Sequence, residues 1–385
     1  MSVALVLAPL VVSLAARSAT LTVGPDAPLK TIAAAARVAR DGDTVEIAAG
    51  VYRGDVAVWL QKRLTIRGIG GPAVLRADGR IAEGKAIWVI RNGDFTIEDI
   101  AFEGARASAG NGAGIRFERG RLTLRRCRFT DDENGVLTGN VGDTELTIED
   151  SQFAQAPHAQ GSLKHLLYVG QIARFTLTGS RFHQGFRGHL VKSRARENHI
   201  AYNLIHDGAG GRASYELEFP NGGLAYVIGN VIGQSEETEN PAVIAYGAEG
   251  RIWTRNALYL VNNTLLSDRI GGASFLRIAT DRFPDDFEVT AVNNLTVGLG
   301  LLGATSAGRF EGNFPVFASV LGDPETLDFR LGVRTWLKGA GVTPPVVDGR
   351  SLAPTAEFAL PVGTTPLAPR SAWTPGAFQT LDPRR

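Results

Sequence analysis

Seven residues between positions 168 and 218 have side chains that could bind or convert a charged sugar: Tyr168, His189, Lys192, Arg194, Arg196, Glu216 and Glu218. Cleaving a 4-linked uronate by β-elimination removes the weakly acidic proton beside its carboxylate. That step needs a cation to neutralise the carboxylate, a base, and a proton donor for the leaving oxygen. The set contains all three kinds of group, so elimination in an acidic polysaccharide is the first chemistry that it predicts.

Lys192 and Arg194 are the predicted catalytic residues. Lys192 would act as the base, and the like charge of Arg194 would favour its neutral form while also binding a substrate carboxylate. His189, His199 or Tyr168 would protonate the leaving oxygen. The predicted substrate-binding residues are Tyr168, His189, Arg196, Glu216 and Glu218.

The two glutamates leave other interpretations open. Glu216 and Glu218 could hold a Ca²⁺ that neutralises the uronate, and no other cofactor is indicated. At positions i and i+2 of one strand face, their Cβ atoms would lie about 7 Å apart, which suits acid/base catalysis of glycoside hydrolysis. In the plainest alternative, Glu218 only pairs with Lys192 across strands, for less than about 1 kcal/mol.

These residues belong to a chain that repeats a short hydrophobic strand followed by a turn. One inner turn position recurs at intervals of 23 to 33 residues. Its copies are Ile100, Cys127, Ser151, Ser180, Asn203, Asn230, Asn263 and Asn294. Units of this length, with strands and no helical pattern, bury their apolar sides only by stacking on one another. The sequence therefore predicts an all-β fold, a right-handed parallel β-helix (solenoid), with the asparagines stacked as an internal ladder.

A second strand precedes the repeated one in each coil, and it sets the direction of the candidate side chains. Because side chains alternate along a strand, burying Val191 and Leu217 would point Lys192, Glu216 and Glu218 outward. Rungs of a parallel sheet lie about 4.8 Å apart, so these residues and Tyr168 would form one continuous row. That row is the predicted floor of a cleft.

The two ends of the chain differ from the repeats. Residues 1–19, with the apolar run Val3 to Leu14 and small residues after it, are typical of a signal peptide and predict a periplasmic or secreted protein. An alanine-rich helix at about 29–40 would cap the open first coil of a β-helix spanning 20–340. Residues 341–385 contain many prolines and predict an extended tail packed on the coil.

The segment DGDTVEIAAGVYRG (Asp41 to Gly54) resembles the opening of the pectate-lyase-like β-helix superfamily. The segment VKSRARENHIAYNLIHDGAGG (Val191 to Gly211) is similar to alginate and chondroitin lyases, in which a Lys-Ser strand carries the base. The resemblance implies the β-helix fold and places Lys192 at the position of the catalytic lysine. Those families have a catalytic arginine one coil later, where this sequence has Glu216 to Glu218.

Composition restricts the partners. A net charge of +1 over 385 residues provides no basic field for nucleic acid, and a single cysteine cannot form an internal disulfide. We expect a monomer without a membrane span in the mature chain and with an acidic polysaccharide as its partner. The primary prediction is an exported polysaccharide lyase; a non-catalytic polysaccharide-binding or structural envelope protein is the alternative, and a glycoside hydrolase ranks third.

Overall fold

The computed structural model describes residues 18–158, 163–283, 287–303, 305 and 308–384. These residues form one α-helix, three short 3₁₀ helices (Thr280–Arg282, Ala318–Val320 and Pro324–Thr326) and many short strands. The helix α1 spans Ile32–Val38. The strands in chain order are β1 (Thr20–Val23), β2 (Thr44–Arg53), β3 (Ala57–Trp59), β4 (Arg63–Arg76), β5 (Ala86–Ile90), β6 (Asp94–Glu98), β7 (Ile100–Glu103), β8 (Ala113–Phe117), β9 (Arg121–Arg125), β10 (Arg128–Thr130), β11 (Asn134–Thr138), β12 (Glu145–Glu149), β13 (Gln152–Ala154), β14 (Leu167–Val169), β15 (Arg174–Thr178), β16 (Arg181–His183), β17 (Val191–Ser193), β18 (Glu197–Ala201), β19 (Leu204–His206), β20 (Leu217–Phe219), β21 (Leu224–Ile228), β22 (Val231–Gln234), β23 (Ala242–Tyr246), β24 (Ala257–Val261), β25 (Thr264–Ser267), β26 (Ala273–Ile278), β27 (Glu288–Val292), β28 (Leu295–Val297), β29 (Gly300–Leu301), β30 (Gly308–Glu311), β31 (Phe314–Val316), β32 (Leu321–Asp323), β33 (Asp328–Leu331), β34 (Val346–Val347), β35 (Arg350–Ser351), β36 (Ala356–Phe358) and β37 (Thr364–Pro366).

The strands stack into three parallel ladders along the coil. Ladder I runs from β1 and β2 through β4, β6, β9 and every later strand in that position to β30. Ladder II passes from the second halves of β2 and β4 through β7 and β10 to β31. Ladder III is a separate sheet of ten strands in the order β3, β5, β8, β11, β14, β17, β20, β23, β26 and β29. The prediction of an all-β, right-handed parallel β-helix is confirmed.

The inner turn position between ladders I and II stacks in the predicted register. Ser180 donates its backbone N–H to Oδ1 of Asn203, 2.9 Å away. The same contact links Asn203 to Asn230 at 3.0 Å and Asn230 to Asn263 at 2.9 Å. The residue before each turn position has a positive φ, as at Tyr202 (58°) and Asn262 (52°), which makes the corner sharp. These turns fix which residues of successive coils lie side by side.

The interior of the coil is filled by rows of like side chains. Phe102, Phe129, Phe153 and Phe182 come from four successive strands of ladder II and stack with ring centroids 5.0, 4.6 and 4.6 Å apart. All four rings are buried. Because each coil buries its apolar side chains against the coils beside it, the outer rows that contain the candidate site are held in place by this core.

The two terminal segments cover the first coil and part of the outside of the coil. Helix α1 lies over the first coil, and its exposed backbone N–H groups are capped by Thr31, which accepts from Ala34, and by Asp55, which accepts from Ile32 and Ala33. The segment after residue 340 lies along the outside of the coil, where Ala377 donates its N–H to Oγ1 of Thr264.

Most of the predicted signal peptide, residues 1–17, lies outside the described residues. Within the described part of the chain, no helix is long and apolar enough to span a membrane.

Candidate functional site

Tyr168, Lys192 and Glu218 lie side by side on the outer side of ladder III. They come from the consecutive strands β14, β17 and β20, and the strand register aligns Tyr168 with Lys192 and Lys192 with Glu218. Val191 and Leu217, which precede Lys192 and Glu218, are fully buried in the core. Alternation along these strands therefore places the predicted row on the outer side.

Lys192 forms ion pairs with two carboxylates. Its Nζ lies 3.2 Å from Oε2 of Glu218 and 3.0 Å from Oε1 of Glu249. Glu249 follows β23, two coils after Lys192. Both contacts join opposite charges, so both would be lost if Lys192 gave up its proton. The pair with Glu218 is one of the alternatives that the sequence predicts, whereas the contact with Glu249 is not predicted from it.

Arg194 is held on three sides. Its Nε donates to the hydroxyl oxygen of Tyr168 (2.8 Å), and its Nη1 donates to Oδ1 of Asn221. The two terminal nitrogens contact both oxygens of Glu249, at 2.7 Å (Nη1 to Oε2) and 2.9 Å (Nη2 to Oε1). The indole Nε1 of Trp253 donates to the backbone carbonyl of Arg194, 3.1 Å away. A guanidinium fixed in this way is suited to bidentate binding of a carboxylate.

His189 completes the buried side of the site. Its Nδ1 lies 3.1 Å from Oε2 of Glu218, a close contact without the alignment of a linear hydrogen bond. Its ring packs beside His165 (centroids 4.7 Å apart) and Tyr215 (5.1 Å). The backbone N–H of His189 donates to Nδ1 of His165, which is therefore an acceptor.

Burial and neighbouring charges set the protonation of this cluster. Burial lowers the pKa of His189 and lowers that of His165 well below its usual range, so both rings are neutral at neutral pH. Burial alone would raise the pKa of Glu218. The contacts of Glu218 with His189 and Lys192 have the larger combined effect, so its pKa is lowered. The contact with Arg194, joined by Lys192, lowers the pKa of Glu249 to about 2. Both glutamates are therefore ionised at neutral pH.

The cluster is more buried than the charged row on the outer side of ladder I. On the outer side of ladder I, the ion pair of Arg121 and Asp94 has side chains that are 67% and 46% exposed. The side chains of Lys192 and Glu218 are only 9% and 3% exposed. Burying two charges costs free energy because they lose their hydration. Ion pairs at the surface avoid this cost but contribute little to stability. A buried, multiply connected charge cluster is thus a stronger functional candidate than a solubilising surface row.

The prediction that Glu216 faces outward is wrong. Glu216 is fully buried, whereas β20 begins only at Leu217. Alternation holds inside a strand, and Glu216 lies at the corner before it, where the side chain turns inward near Asp207 and Thr238. Glu216 and Glu218 therefore share neither a Ca²⁺ site nor an acid/base pair for hydrolysis. The described residues contain no group of three or more His, Cys, Asp or Glu that could hold a metal ion.

Replacing Glu216 by glutamine should stabilise the protein at neutral pH, because it removes the cost of ionising a fully buried carboxyl group. Among the described residues, neither carboxylate oxygen of Glu216 has a hydrogen-bond partner, and burial raises its pKa well above the ordinary value of 4.5. A raised pKa contributes stability below pH 4.5, and this stability is lost as the pH rises through the folded-state value. Glutamine has a similar size and no charge, so the variant avoids the loss.

Thermal unfolding at about pH 5 and about pH 8 tests this prediction. The advantage of Glu216→Gln over the unmodified protein should increase with pH. Glu325→Gln, at an exposed glutamate, serves as the control and should show no such trend. A variant that is less stable than the unmodified protein at about pH 8 would contradict the placement of Glu216.

Two other predicted residues lie apart from the cluster. Arg196 is exposed at the turn into β18 and forms no ion pair within the described residues. His199 lies on the outer side of ladder I, where its Nε2 is 2.6 Å from Oε1 of Glu197 and its ring stacks on Tyr226. His199 therefore lies on a different ladder from Lys192, whereas Tyr168 and His189 both belong to the cluster.

Comparison with known proteins gives the fold and little more. No protein-family model matches this chain, and no curated protein matches it. Among solved structures, the chain is similar to the crystal structure of pectate lyase Pel9A, with a TM-score of 0.60 and 13% identity over 94% of this chain and 96% of that one. A second match is the native GH136 lacto-N-biosidase from Eubacterium ramulus, with a TM-score of 0.38 and 12% identity over 78% of this chain and 64% of that one. The likeness to Pel9A establishes a pectate-lyase-like parallel β-helix.

Proposed function

We propose that this chain is a carbohydrate-active β-helix protein that binds a uronate-containing polysaccharide on the outer side of ladder III and cleaves it by β-elimination. The supporting observation is that Lys192 and Arg194, both largely buried, converge on one carboxylate, that of Glu249. Two cations so arranged can recognise the carboxylate of a uronate in the same way. The fold shared with Pel9A is compatible with this function but does not by itself imply it.

The reaction follows from the positions of the groups. With the uronate carboxylate on Arg194, its negative charge is neutralised and the neighbouring proton at C5 becomes more acidic. Before this step the ammonium group of Lys192 must release its own proton to solvent; the resulting neutral amine then takes the proton from C5. The electron pair of the broken C–H bond forms the C4–C5 double bond, and the bond from C4 to the glycosidic oxygen breaks.

Tyr168 is our preferred donor to the leaving oxygen. Its hydroxyl accepts a hydrogen bond from Nε of Arg194, so its own proton is available, and the guanidinium would stabilise the phenolate that remains. Neutral His189 is the other donor within the cluster. Glu218 positions Lys192 from the buried side. Each step transfers one proton and needs no oxidant or reductant.

A polysaccharide-binding protein without turnover is the second candidate function. The observation in its favour is that Lys192 is paired with two carboxylates, which is a suitable arrangement for a permanent cation and a poor one for a base. Such a protein would use Lys192 and Arg194 only to bind anionic sugars. Export to the periplasm or the medium and a monomeric state remain proposals under both functions.

Incubating the purified protein with alginate, pectate, glucuronan and a glycosaminoglycan tests the proposal. We expect one of these polymers to yield the ultraviolet absorbance of an unsaturated uronate together with new reducing ends. Reducing ends without that absorbance would indicate hydrolysis. Binding to the polymers without turnover would favour the second function, and neither binding nor turnover on any acidic polymer would contradict both.

A further inference from the structure

The carboxylate of Glu249 contacts both cations of the site. It contacts Nζ of Lys192 at 3.0 Å and both terminal nitrogens of Arg194 at 2.7 and 2.9 Å. The side chain of Glu249 is 45% exposed, whereas those of Lys192 and Arg194 are 9% and 14% exposed. The two cations thus belong to the buried part of the site, and the carboxylate reaches them from the solvent side.

The cations do not depend on Glu249 for their positions. Lys192 keeps its contact with Glu218, and Arg194 keeps those with Tyr168 and Asn221. Without Glu249 the group would combine the two positive charges of Lys192 and Arg194 with the one negative charge of Glu218. A single external carboxylate would restore the balance that Glu249 now provides.

The backbone that carries Glu249 is fixed. Gly247 and Glu249 donate their N–H groups to the carbonyls of Phe219 and Pro220, both at 2.8 Å. Asn221 donates its side-chain amide to the carbonyl of Gly250 at 3.2 Å, and Arg282 donates to that of Ala248 at 2.7 Å. The contacts of Glu249 with Lys192 and Arg194 can therefore be broken by rotation of the half-exposed Glu249 side chain alone, while the backbone of the turn keeps its position.

We propose that Glu249 is a specificity-determining residue that occupies the substrate carboxylate site until the carboxylate of a uronate displaces it. This inference rests on the proposed function, since it assumes that the ligand is an anionic sugar. A neutral sugar cannot form the ion pairs that Glu249 makes with Lys192 and Arg194. It would therefore not displace Glu249 from these two side chains. Glu249 thereby selects for negatively charged ligands. Every ligand that must displace Glu249 binds more weakly than it would to a site without this side chain.

Binding of the methyl glycosides of galacturonate, glucuronate and mannuronate tests this inference. These probes carry no glycosidic oxygen at C4 and cannot be cleaved, so binding is measured apart from turnover. Because Glu249 occupies the site in the free protein, Glu249→Gln should lower the Kd of a uronate about five- to tenfold by removing the competitor. The corresponding neutral methyl esters should bind both proteins equally. Glu103→Gln, at a partly exposed ion pair with Arg76, is the control and should change neither Kd.

The possible outcomes separate the two proposals. Tighter uronate binding by Glu249→Gln, with or without turnover of any polymer, supports the inference. Equal or weaker binding by Glu249→Gln overturns the inference, and elimination by the unmodified protein would in that case still support the proposed function. If neither protein binds any uronate and no acidic polymer is turned over, both proposals fail.

Discussion

Replacing Lys192 by arginine should lower kcat/KM for elimination at least about 1000-fold, because a general base contributes a factor of this size. Arginine keeps the positive charge and can retain the ion pairs with Glu218 and Glu249, but it does not release its proton. Binding of the polymer should therefore persist while turnover is lost. Absorbance of the unsaturated product, measured with the binding constant, checks both parts. Turnover within about tenfold of the unmodified protein would show that Lys192 is not the base.

Removing the amine altogether needs a compensating change. Lys192→Ala alone would leave Glu218, 3% exposed, without its cation, and breaking a buried pair typically costs about 3 to 5 kcal/mol. The double variant Lys192→Met/Glu218→Gln removes both charges and should fold. Its turnover should also be lost. Lys85→Ala, at a lysine whose ion pair with Glu118 is partly exposed, is the matched control and should retain full activity.

Replacing Asn230 by alanine should lower the free energy of unfolding by about 3 kcal/mol or more. The Asn230 amide donates to the carbonyls of Ile200 (2.8 Å) and Ile228 (3.2 Å). Its Oδ1 accepts from both the backbone N–H and the side chain of Asn203, at 3.0 and 2.9 Å. Every one of these groups is buried, so the truncation leaves several polar atoms without partners. Denaturant unfolding and hydrogen exchange at the flanking coils measure the loss.

Two variants define the origin of that effect. Asn230→Ser should be milder, because Ser151 and Ser180 occupy the same position in earlier coils and the Oγ of each accepts from a backbone N–H at 3.1 Å. Asn92→Ala, at an exposed asparagine, should change stability by less than about 0.5 kcal/mol. If Asn230→Ala were no more destabilising than Asn92→Ala, the internal ladder would have no stabilising role.

The sequence was informative where one pattern recurred. The inner turn position could be followed from Ile100 to Asn294 because each copy lies beside a strand of the same type, and the structure extends it by one coil to Asn313. Alternation within β17 and β20 likewise placed Lys192 and Glu218 on the outer side. Both inferences use periodicity, which survives wherever the backbone is regular.

Two features of the site could not be read from the sequence. Glu216 and Glu218 are two residues apart, a spacing that puts both side chains on one face if both residues lie in the strand. Glu216 precedes the first residue of β20, and only the path of the backbone shows that its side chain turns inward. Glu249 lies 57 residues from Lys192, and its approach depends on the shape of the turn between Gly247 and Gly250. The glycines at both ends of that turn, with φ of 80° and 83°, were the available signal, but they indicate a bend and not its direction.

The position of the cluster within ladder III bears on how the protein can change in size. Lys192, Glu218 and Glu249 belong to three neighbouring coils near the middle of a sheet of ten strands. Homologues could gain or lose whole coils towards either terminus and keep the same chemistry. Loss of the single coil that carries β20 would delete Glu218 and shift Glu249 by one rung, about 4.8 Å, so overall length is free to vary while this short internal block is not.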